Sequence, residues 1–242
     1  MLFIRKLTMR INVKEFLKNR VNENVDPKIS RKKIRDILRS FKDEGIDFCI
    51  LRNYETLEKE KDVDLLVIKN KKIDEVMNKF GLHKRYSYGH FISYKGNGLW
   101  FDFKVGCLSY YGFCFKDALS ILKAKKSYKY FYILGKEDEF VHLILHCVLH
   151  KSYFKEKYKD RINYLFGVID KKRVINELVS KFPKYGETLF YLIGNKKYSE
   201  ALNLEKNLLH ELRNFRDLPT YLMVKFVWVV WAKLRHIFFK NI

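Results

Sequence analysis

The spacing of apolar and polar residues divides the chain into two parts of different character. Up to about residue 135, short apolar runs alternate with polar turns, which predicts strands and helices in a mixed arrangement. From Glu137 onward, apolar residues return every three or four positions, the spacing of helices that bury one face. The pattern predicts an α+β protein with an N-terminal helical extension (1–29), an α/β domain (30–135) and a helical domain (136–242).

The first part of the chain carries clear start and stop signals for its elements. Gly45 and Gly81 each follow a segment with helical spacing, and Asn97-Gly98 joins two runs rich in aromatic and β-branched residues, which predicts a β-hairpin. The helices predicted in this part cover residues 12–24, 28–44, 71–80 and about 115–124. The strands are predicted at 46–53, 63–68 and 128–134, and the hairpin within 85–106.

The charge balance narrows the choice of partners. The 242 residues include 49 Lys and Arg against 28 Asp and Glu, a net charge of +21, which favours nucleic acid, nucleotide phosphates or anionic lipid. The four cysteines lack a zinc-type spacing, which predicts free thiols in a reducing cytosol. The sequence has neither a signal peptide nor an apolar run of membrane-spanning length, so we expect a cytoplasmic protein, with a peripheral membrane position as the alternative.

Three aspartates form the most informative pattern. Alternate residues of a strand share a face, so Asp62 and Asp64 are predicted to project together while Val63 and Leu65 enter the core. Asp102 interrupts a second, strongly apolar strand. Each aspartate alone is better explained as a turn residue, a strand end or a hydrogen-bonded buried acid. Together on neighbouring strands they would repel one another without cations. They therefore predict a site for two Mg²⁺ ions, with Mn²⁺ as the alternative, of the kind that serves phosphoryl displacement.

The segments FCILRNYETLEKEKDVDLLV (48–67) and LWFDF (99–103) resemble the nucleotidyltransferase superfamily built on the polymerase-β-type palm. The fold that this resemblance implies is a minimal nucleotidyltransferase palm, a mixed sheet with flanking helices, followed by an all-helical C-terminal domain. The resemblance makes Asp62 and Asp64 ligands of the two metal ions. It makes Asp102 the third carboxylate, which also binds metal and helps to activate the acceptor hydroxyl.

With HLILHCVLHKSYFKEKYKDRI (142–162) included, the chain is similar to the nucleotidyltransferase-like domains of microbial surface-polysaccharide gene clusters, some of which are fused to a thymidylate-kinase-like domain. The similarity covers about residues 30–165, and the chain contains no GxxxxGK[ST] phosphate loop. It implies Mg²⁺-dependent transfer of a nucleotidyl group from a nucleoside triphosphate to a hydroxyl or phosphate acceptor, in surface-glycan biosynthesis.

One departure from the superfamily concerns the residues after the first strand. The superfamily carries Gly-Gly or Gly-Ser there, whereas this chain carries Arg52-Asn53. Arginine binds phosphate bidentately and Asn53 can replace the serine hydroxyl, so both are predicted to contact phosphate. The alternative is that Arg52 pairs with a neighbouring acid such as Glu55. The substitution also leaves open a non-catalytic, nucleotide-binding member on a membrane or partner.

Two basic runs with interleaved tyrosines, 122–129 and 150–161, offer further contacts for phosphate. If they rim the carboxylates, the candidate triphosphate contacts are Lys104, Lys125, Lys126 and Lys151. Otherwise they form a solvated basic face. A nucleic-acid-binding or RNA-modifying protein, with this basic surface as its footprint, is the second functional hypothesis.

Two helical patterns in the second part have no assigned chemistry. His142, His146 and His150 lie one turn apart, and without a further metal-ligand partner they are predicted to be structural histidines between the two halves rather than zinc ligands. Residues 219–242 predict a basic-edged, Trp-rich helix. Such a helix lies on an anionic membrane, or equally well closes the helical bundle or a dimer contact.

Overall fold

The structure, a computed structural model, describes residues 27–110 and 113–212 and confirms the predicted α+β class. The strands in these ranges are β1 (Phe48–Ile50), β2 (Asp62–Val67), β3 (His83–Tyr88), β4 (Phe91–Gly96), β5 (Leu99–Val105), β6 (Cys107–Tyr110), β7 (Phe113–Asp117), β8 (Lys126–Tyr128) and β9 (Phe131–Ile133). The α-helices are α1 (Pro27–Asp43), α2 (Lys72–Lys79), α3 (Ala118–Lys123), α4 (Lys136–Leu145), α5 (Glu156–Phe166), α6 (Lys171–Lys181), α7 (Gly186–Gly194), α8 (Tyr198–Asn203) and α9 (Glu205–Leu212). A 3-10 helix (Tyr54–Lys59) separates β1 from β2, and a π-helix (His146–Lys151) continues α4.

Seven strands form one mixed sheet in the order β3-β4-β5-β2-β1-β9-β8. The pairs β2–β5 and β1–β9 are parallel, and the other neighbouring pairs of this sheet are antiparallel. The strands β6 and β7 form a separate antiparallel pair. The three predicted carboxylates therefore lie on two adjacent strands near the centre of the large sheet.

The central strands bury their two faces in two different hydrophobic cores. Successive side chains of a strand point to opposite faces, so Val63 and Leu65 of β2 pack with α1 and α2. Leu66 points the other way and joins a second core, which contains buried residues from every helix from α3 to α9. Asp62 and Asp64 share the face of Leu66, and thus lie on the side of the sheet that the C-terminal helices cover.

Several elements form where the local sequence predicts them. The helix predicted at 28–44 is α1, and the one predicted at 71–80 is α2. The predicted hairpin is β4–β5, in which Asn97 and Gly98 have φ values of 52° and 73°. Positive φ at both central residues is what a two-residue type I′ turn requires, and Asn-Gly adopts it at little cost.

The sequence predicts fewer strands than the structure contains. A single strand is predicted at 128–134, but the structure forms β8 and β9 around a turn in which Lys129 has a φ of 51°. A lysine in the left-handed region gives no turn signal in the sequence, because glycine and asparagine usually occupy such positions. The extended region at 85–106 likewise contains part of β3 as well as β4 and β5, and the pair β6–β7 is not predicted.

The helical part begins with α4 at Lys136, next to the boundary predicted near residue 135. Phe140 of α4 packs in the same core as Cys49 and Leu51, so the helices of this part cover one face of the sheet. The helix predicted at 12–24 and the segment 219–242 lie outside the described residues. Among the helices in the described ranges, none combines the length and the apolar character that crossing a bilayer requires.

Candidate active site

The strand register brings the three predicted carboxylates together on one face of the sheet. Asp64 of β2 lies directly opposite Asp102 of the parallel strand β5, and Asp62 lies opposite Trp100. Neighbouring strands are about 4.8 Å apart, so the Asp64 and Asp102 backbones are adjacent. The residues that flank them in sequence, including Val63 and Phe101, are buried in the opposite core. Three acidic side chains are thereby directed toward the C-terminal helices.

Asp102 is a largely buried acid with two hydrogen-bond donors. Its Oδ1 accepts from Ser93 Oγ at 2.7 Å and from Trp100 Nε1 at 2.8 Å. Burial, followed by the negative charge of Asp64, raises the pKa of Asp102 to about 7. A carboxyl group with this pKa accepts and releases a proton near neutral pH.

Asp62 and Asp64 differ in their surroundings although they are two residues apart. Loss of solvation and then the charge of Asp64 raise the pKa of Asp62. Asp64 is neutralised by an ion pair in which Arg52 Nη2 lies 2.7 Å from Oδ2. Both partners are largely buried, with 14% of the Arg52 side chain and 18% of the Asp64 side chain exposed. The guanidinium is thus a cation placed among the carboxylates.

Arg52 also links the sheet to the helical part. It follows β1, and its Nη1 donates to the hydroxyl of Tyr158 in α5 at 2.5 Å. Arg52 pairs with an acid, as the alternative expected, but that acid is Asp64 and not Glu55, which pairs with Arg161 at 3.1 Å. The neighbouring acid is therefore one of the three candidate carboxylates.

Two predicted lysines lie close to this group. Lys104 is two residues after Asp102 on the same face of β5, and its Nζ donates to the backbone carbonyl of Ser109. Burial lowers the pKa of Lys104 to about 8, against the opposing attraction of the nearby carboxylates. Lys151, at the end of the π-helix, has its pKa lowered by burial and by Arg52, while Asp64 and Asp62 oppose this change. Arg52, Lys104 and Lys151 therefore surround the carboxylates with positive charge.

The other two predicted lysines are not placed beside the carboxylates. Lys125 forms an ion pair with Asp47, which precedes β1 and so lies beyond the opposite end of β2 from Asp62. Lys126 is exposed on the edge strand β8, which β9 and β1 separate from β2. Asn53 has a φ of 57° and begins the 3-10 helix, and its side chain forms no capping hydrogen bond there.

The three histidines line the contact between the sheet side and the helical part. The hydroxyl of Tyr110 in β6 lies 2.8 Å from Nδ1 of His142, and the rings of His146 and Tyr158 are 5.9 Å apart. Burial lowers the pKa of all three histidines, that of His150 to about 3, so they are neutral at pH 7. This placement agrees with the expected structural role.

A second buried network fixes the loop that follows Arg52. Arg161 of α5 donates from Nε and Nη2 to the two carboxylate oxygens of Glu139 in α4, both at 2.8 Å. Glu139 also accepts from the hydroxyl of Tyr54 at 3.1 Å. The first residue of the 3-10 helix is therefore tied to two helices, which restrains the backbone between β1 and β2.

Sequence reasoning missed Ser93, Trp100 and Tyr158. The first could have been found, because a two-residue turn at Asn97-Gly98 places Ser93 opposite Asp102 in the hairpin. Tyr158 lies 106 residues from Arg52, and no local pattern connects them.

The donor set suits Mg²⁺ in its chemistry. Carboxylate oxygens are the hard ligands that this ion prefers, and after burial the charge of Asp64 is the next cause of the raised pKa of Asp62 and of Asp102. Across residues 27–110 and 113–212, however, no three His, Cys, Asp or Glu side chains are arranged to hold a metal ion. The Arg52–Asp64 ion pair accounts for one carboxylate, so a metal ion would have to compete with Arg52 for Oδ2 of Asp64.

Comparison with known proteins gives distant structural likenesses, among them the two that follow. No family model and no curated protein matches the chain. The crystal structure of JHP933 from Helicobacter pylori is similar with a TM-score of 0.39 and 11% identity, over 86% of this chain and 97% of that chain. A tRNA nucleotidyltransferase complexed with a primer tRNA and an incoming ATP analogue has a TM-score of 0.26 and 16% identity, over 69% of this chain and 62% of that chain. At these TM-scores neither likeness carries a functional argument, so function has to be argued from the site.

Proposed function

We propose that the protein transfers a nucleotidyl group from a nucleoside triphosphate to a hydroxyl or phosphate acceptor, with release of pyrophosphate. The observation that carries this proposal is the register of two adjacent parallel strands, which sets Asp64 opposite Asp102 with Asp62 on the same face. The cations Arg52, Lys104 and Lys151 beside them supply the positive charge that a triphosphate needs. Acidic groups for a metal ion and basic groups for phosphates thus occur in one place.

Each residue has a distinct proposed role. Asp62, Asp64 and Asp102 would hold Mg²⁺, which when bound neutralises phosphate oxygens and makes the acceptor hydroxyl more acidic. Asp102 would also accept the proton of that hydroxyl as a general base. Arg52 and Lys151 would bind the phosphate chain. Following the resemblance of the sequence, we assign the acceptor to surface-glycan biosynthesis.

Calorimetric titration of each of the four common nucleoside triphosphates, with and without Mg²⁺, tests this proposal. We expect Mg²⁺-dependent binding of at least one of them. Asp62→Asn combined with Asp64→Asn should weaken it by at least about tenfold, since altered metal sites typically lose 10–100-fold in affinity. Asp43→Asn is the matched control, because Asp43 is an exposed residue at the end of α1.

Two results would contradict the proposal. One is the absence of Mg²⁺-dependent binding for all four nucleotides. The other is binding that the double variant leaves unchanged. For the nucleotide that binds, release of pyrophosphate on addition of hydroxyl and phosphate acceptors then separates a transferase from a module that only binds.

A further inference from the structure

The ion pair between Arg52 and Asp64 occupies the position at which the carboxylates need a cation. The Oδ2 atom of Asp64 is shut off from solvent, and Arg52 Nη2 lies 2.7 Å from it. The charge of Asp64 also acts on Asp62 and Asp102, whose protonated forms it favours. One guanidinium therefore offsets charge that is shared by all three acids.

A guanidinium cannot give way by losing its proton, because arginine stays charged at any pH a protein experiences. A divalent cation can take Oδ2 of Asp64 as a ligand only if the Arg52 side chain moves away. Moving it without a new partner would leave a largely buried positive charge unpaired, which is costly. Arg52 will therefore leave Asp64 readily only when another anion takes the place of this carboxylate.

A phosphate group is suited to be that anion. It binds guanidinium through two parallel hydrogen bonds, as a carboxylate does. Lys151 lies near enough to Asp62 and Asp64 for their charges to raise its pKa against the effect of burial, so a phosphate beside the carboxylates would meet a second cation. The same ligand could thus release Asp64 and stabilise Arg52 in its new position.

We propose that Arg52 couples the two binding events at this site: it excludes a divalent cation from Oδ2 of Asp64 until a phosphate-bearing ligand draws the guanidinium away. Tyr158 is the positioning residue, because its hydroxyl holds Nη1 at 2.5 Å while Nη2 faces Asp64. This inference rests on the proposed function and adds a dependence between its two ligands. The cation alone should bind weakly, and the cation and the phosphate should bind tightly when both are present. By thermodynamic linkage each ligand strengthens the other by the same factor, for which about 5–150-fold is the usual range.

Electron paramagnetic resonance of Mn²⁺ measures this coupling without catalysis. Mn²⁺ binding is titrated alone and with inorganic triphosphate, which carries the phosphate chain without a base, and the Mn²⁺ held by free triphosphate is measured separately and subtracted. In the wild type we expect triphosphate to strengthen Mn²⁺ binding at least about fivefold. In Arg52→Gln we expect Mn²⁺ alone to bind at least about fivefold more tightly than in the wild type, with little further gain from triphosphate.

Two further variants make the comparison specific. Arg35→Gln removes an arginine whose ion pair with Glu58 is exposed, and it should behave as the wild type does. Tyr158→Phe keeps Arg52 but frees Nη1, so it should shift Mn²⁺ binding in the same direction as Arg52→Gln, by a smaller factor. If Arg52→Gln does not fold, Tyr158→Phe carries the test.

The outcomes separate this inference from the proposed function. If the wild type binds Mn²⁺ and triphosphate but neither variant at the ion pair binds Mn²⁺ alone more tightly, the coupling is overturned and the proposed function stands. If neither the wild type nor any variant binds Mn²⁺, with or without triphosphate, the proposed function fails and the coupling fails with it.

Discussion

Replacement of Asp102 by asparagine should stabilise the protein at neutral and alkaline pH in metal-free buffer. Burial and the charge of Asp64 raise the pKa of Asp102 from an ordinary value of 3.8 to about 7. Each unit corresponds to 1.36 kcal/mol, so this rise sets an upper limit of about 4 kcal/mol on what ionised Asp102 costs the folded state. Asparagine has the same shape and keeps an oxygen for Ser93 Oγ and Trp100 Nε1, so it removes the charge without opening a cavity.

The pH dependence follows from the direction of this shift. Below about pH 4, Asp102 is protonated in both the folded and the unfolded state, so variant and wild type should be equally stable. As the pH rises from about 4 to about 7, the unfolded chain releases the proton first and the wild type loses stability relative to the variant. Above about pH 7 the difference should stay constant, at roughly 1–4 kcal/mol.

Urea unfolding followed by circular dichroism, in EDTA at several pH values, measures this difference in the free energy of unfolding. Asp74→Asn is the control, because its effect on the free energy of unfolding should have the opposite sign. Although its partial burial alone would raise the pKa of Asp74, hydrogen bonds from Lys84 and Tyr94 lower it. That variant should therefore lose stability above about pH 4.

Two results would contradict this prediction. One is a difference between Asp102→Asn and the wild type that does not grow with pH, and the other is a lower free energy of unfolding of Asp102→Asn at pH 8. Mg²⁺ added together with inorganic triphosphate should narrow the difference, because a bound cation would relieve the repulsion that the variant removes.

Two further predictions concern residues around the site. Glu139→Gln should lower the free energy of unfolding by about 2 kcal/mol, because hydrogen bonds to charged groups contribute about 1.5–3 kcal/mol and Arg161 loses its carboxylate partner. The control is Glu200→Gln, which removes an exposed ion pair with Lys197 and should lower the free energy of unfolding by less than about 0.5 kcal/mol. Equal effects of the two variants in urea unfolding would contradict the role of burial. Lys151→Gln should weaken the binding of Mg²⁺-nucleotide, measured by calorimetry, at least about threefold. A hydrogen bond to a charged group contributes about 1.5–3 kcal/mol, and a lysine whose charge is screened by solvent contributes less than that. Lys125→Gln should leave that binding unchanged because Lys125 pairs with Asp47, and an equal loss in both variants would count against the proposed phosphate site.

The central part of the site could be predicted from the sequence because it depends on local periodicity. Asp62 and Asp64 alternate with Val63 and Leu65, and this period of two assigns the acids and the apolar residues to opposite faces of any strand. The parallel pairing that sets Asp64 opposite Asp102 is not local. It depends on β2 and β5 becoming neighbours, which is expected only from the order of strand, helix and hairpin along the chain and from the resemblance to a known family.

The partners of the carboxylates could not be predicted in the same way. Arg52 could have paired with any nearby acid, and the choice of Asp64 over Glu55 depends on where α5 places Tyr158 and Arg161. Lys125 and Lys126 were candidates because of their charge, but their distance from the carboxylates is set by the order of strands in the sheet.

The turns of the sheet also show where the local sequence predicts the structure and where it does not. Asn97-Gly98 predicts a hairpin because these residues adopt positive φ readily, and the structure forms that hairpin. Lys129 adopts positive φ as well, without a residue type that would predict it. The local sequence therefore does not predict that this segment divides into β8 and β9.

The position of a bound divalent cation decides whether Asp62, Asp64 and Asp102 form a metal site. Crystals grown with Mn²⁺ and a non-hydrolysable analogue of the triphosphate that binds would be measured at the manganese absorption edge. The account predicts an anomalous peak within ligand distance, about 2.0–2.2 Å, of carboxylate oxygens from Asp62, Asp64 and Asp102, with Arg52 moved from Asp64 to a phosphate. A bound analogue with no metal at these carboxylates, or with Arg52 still paired to Asp64, would contradict it.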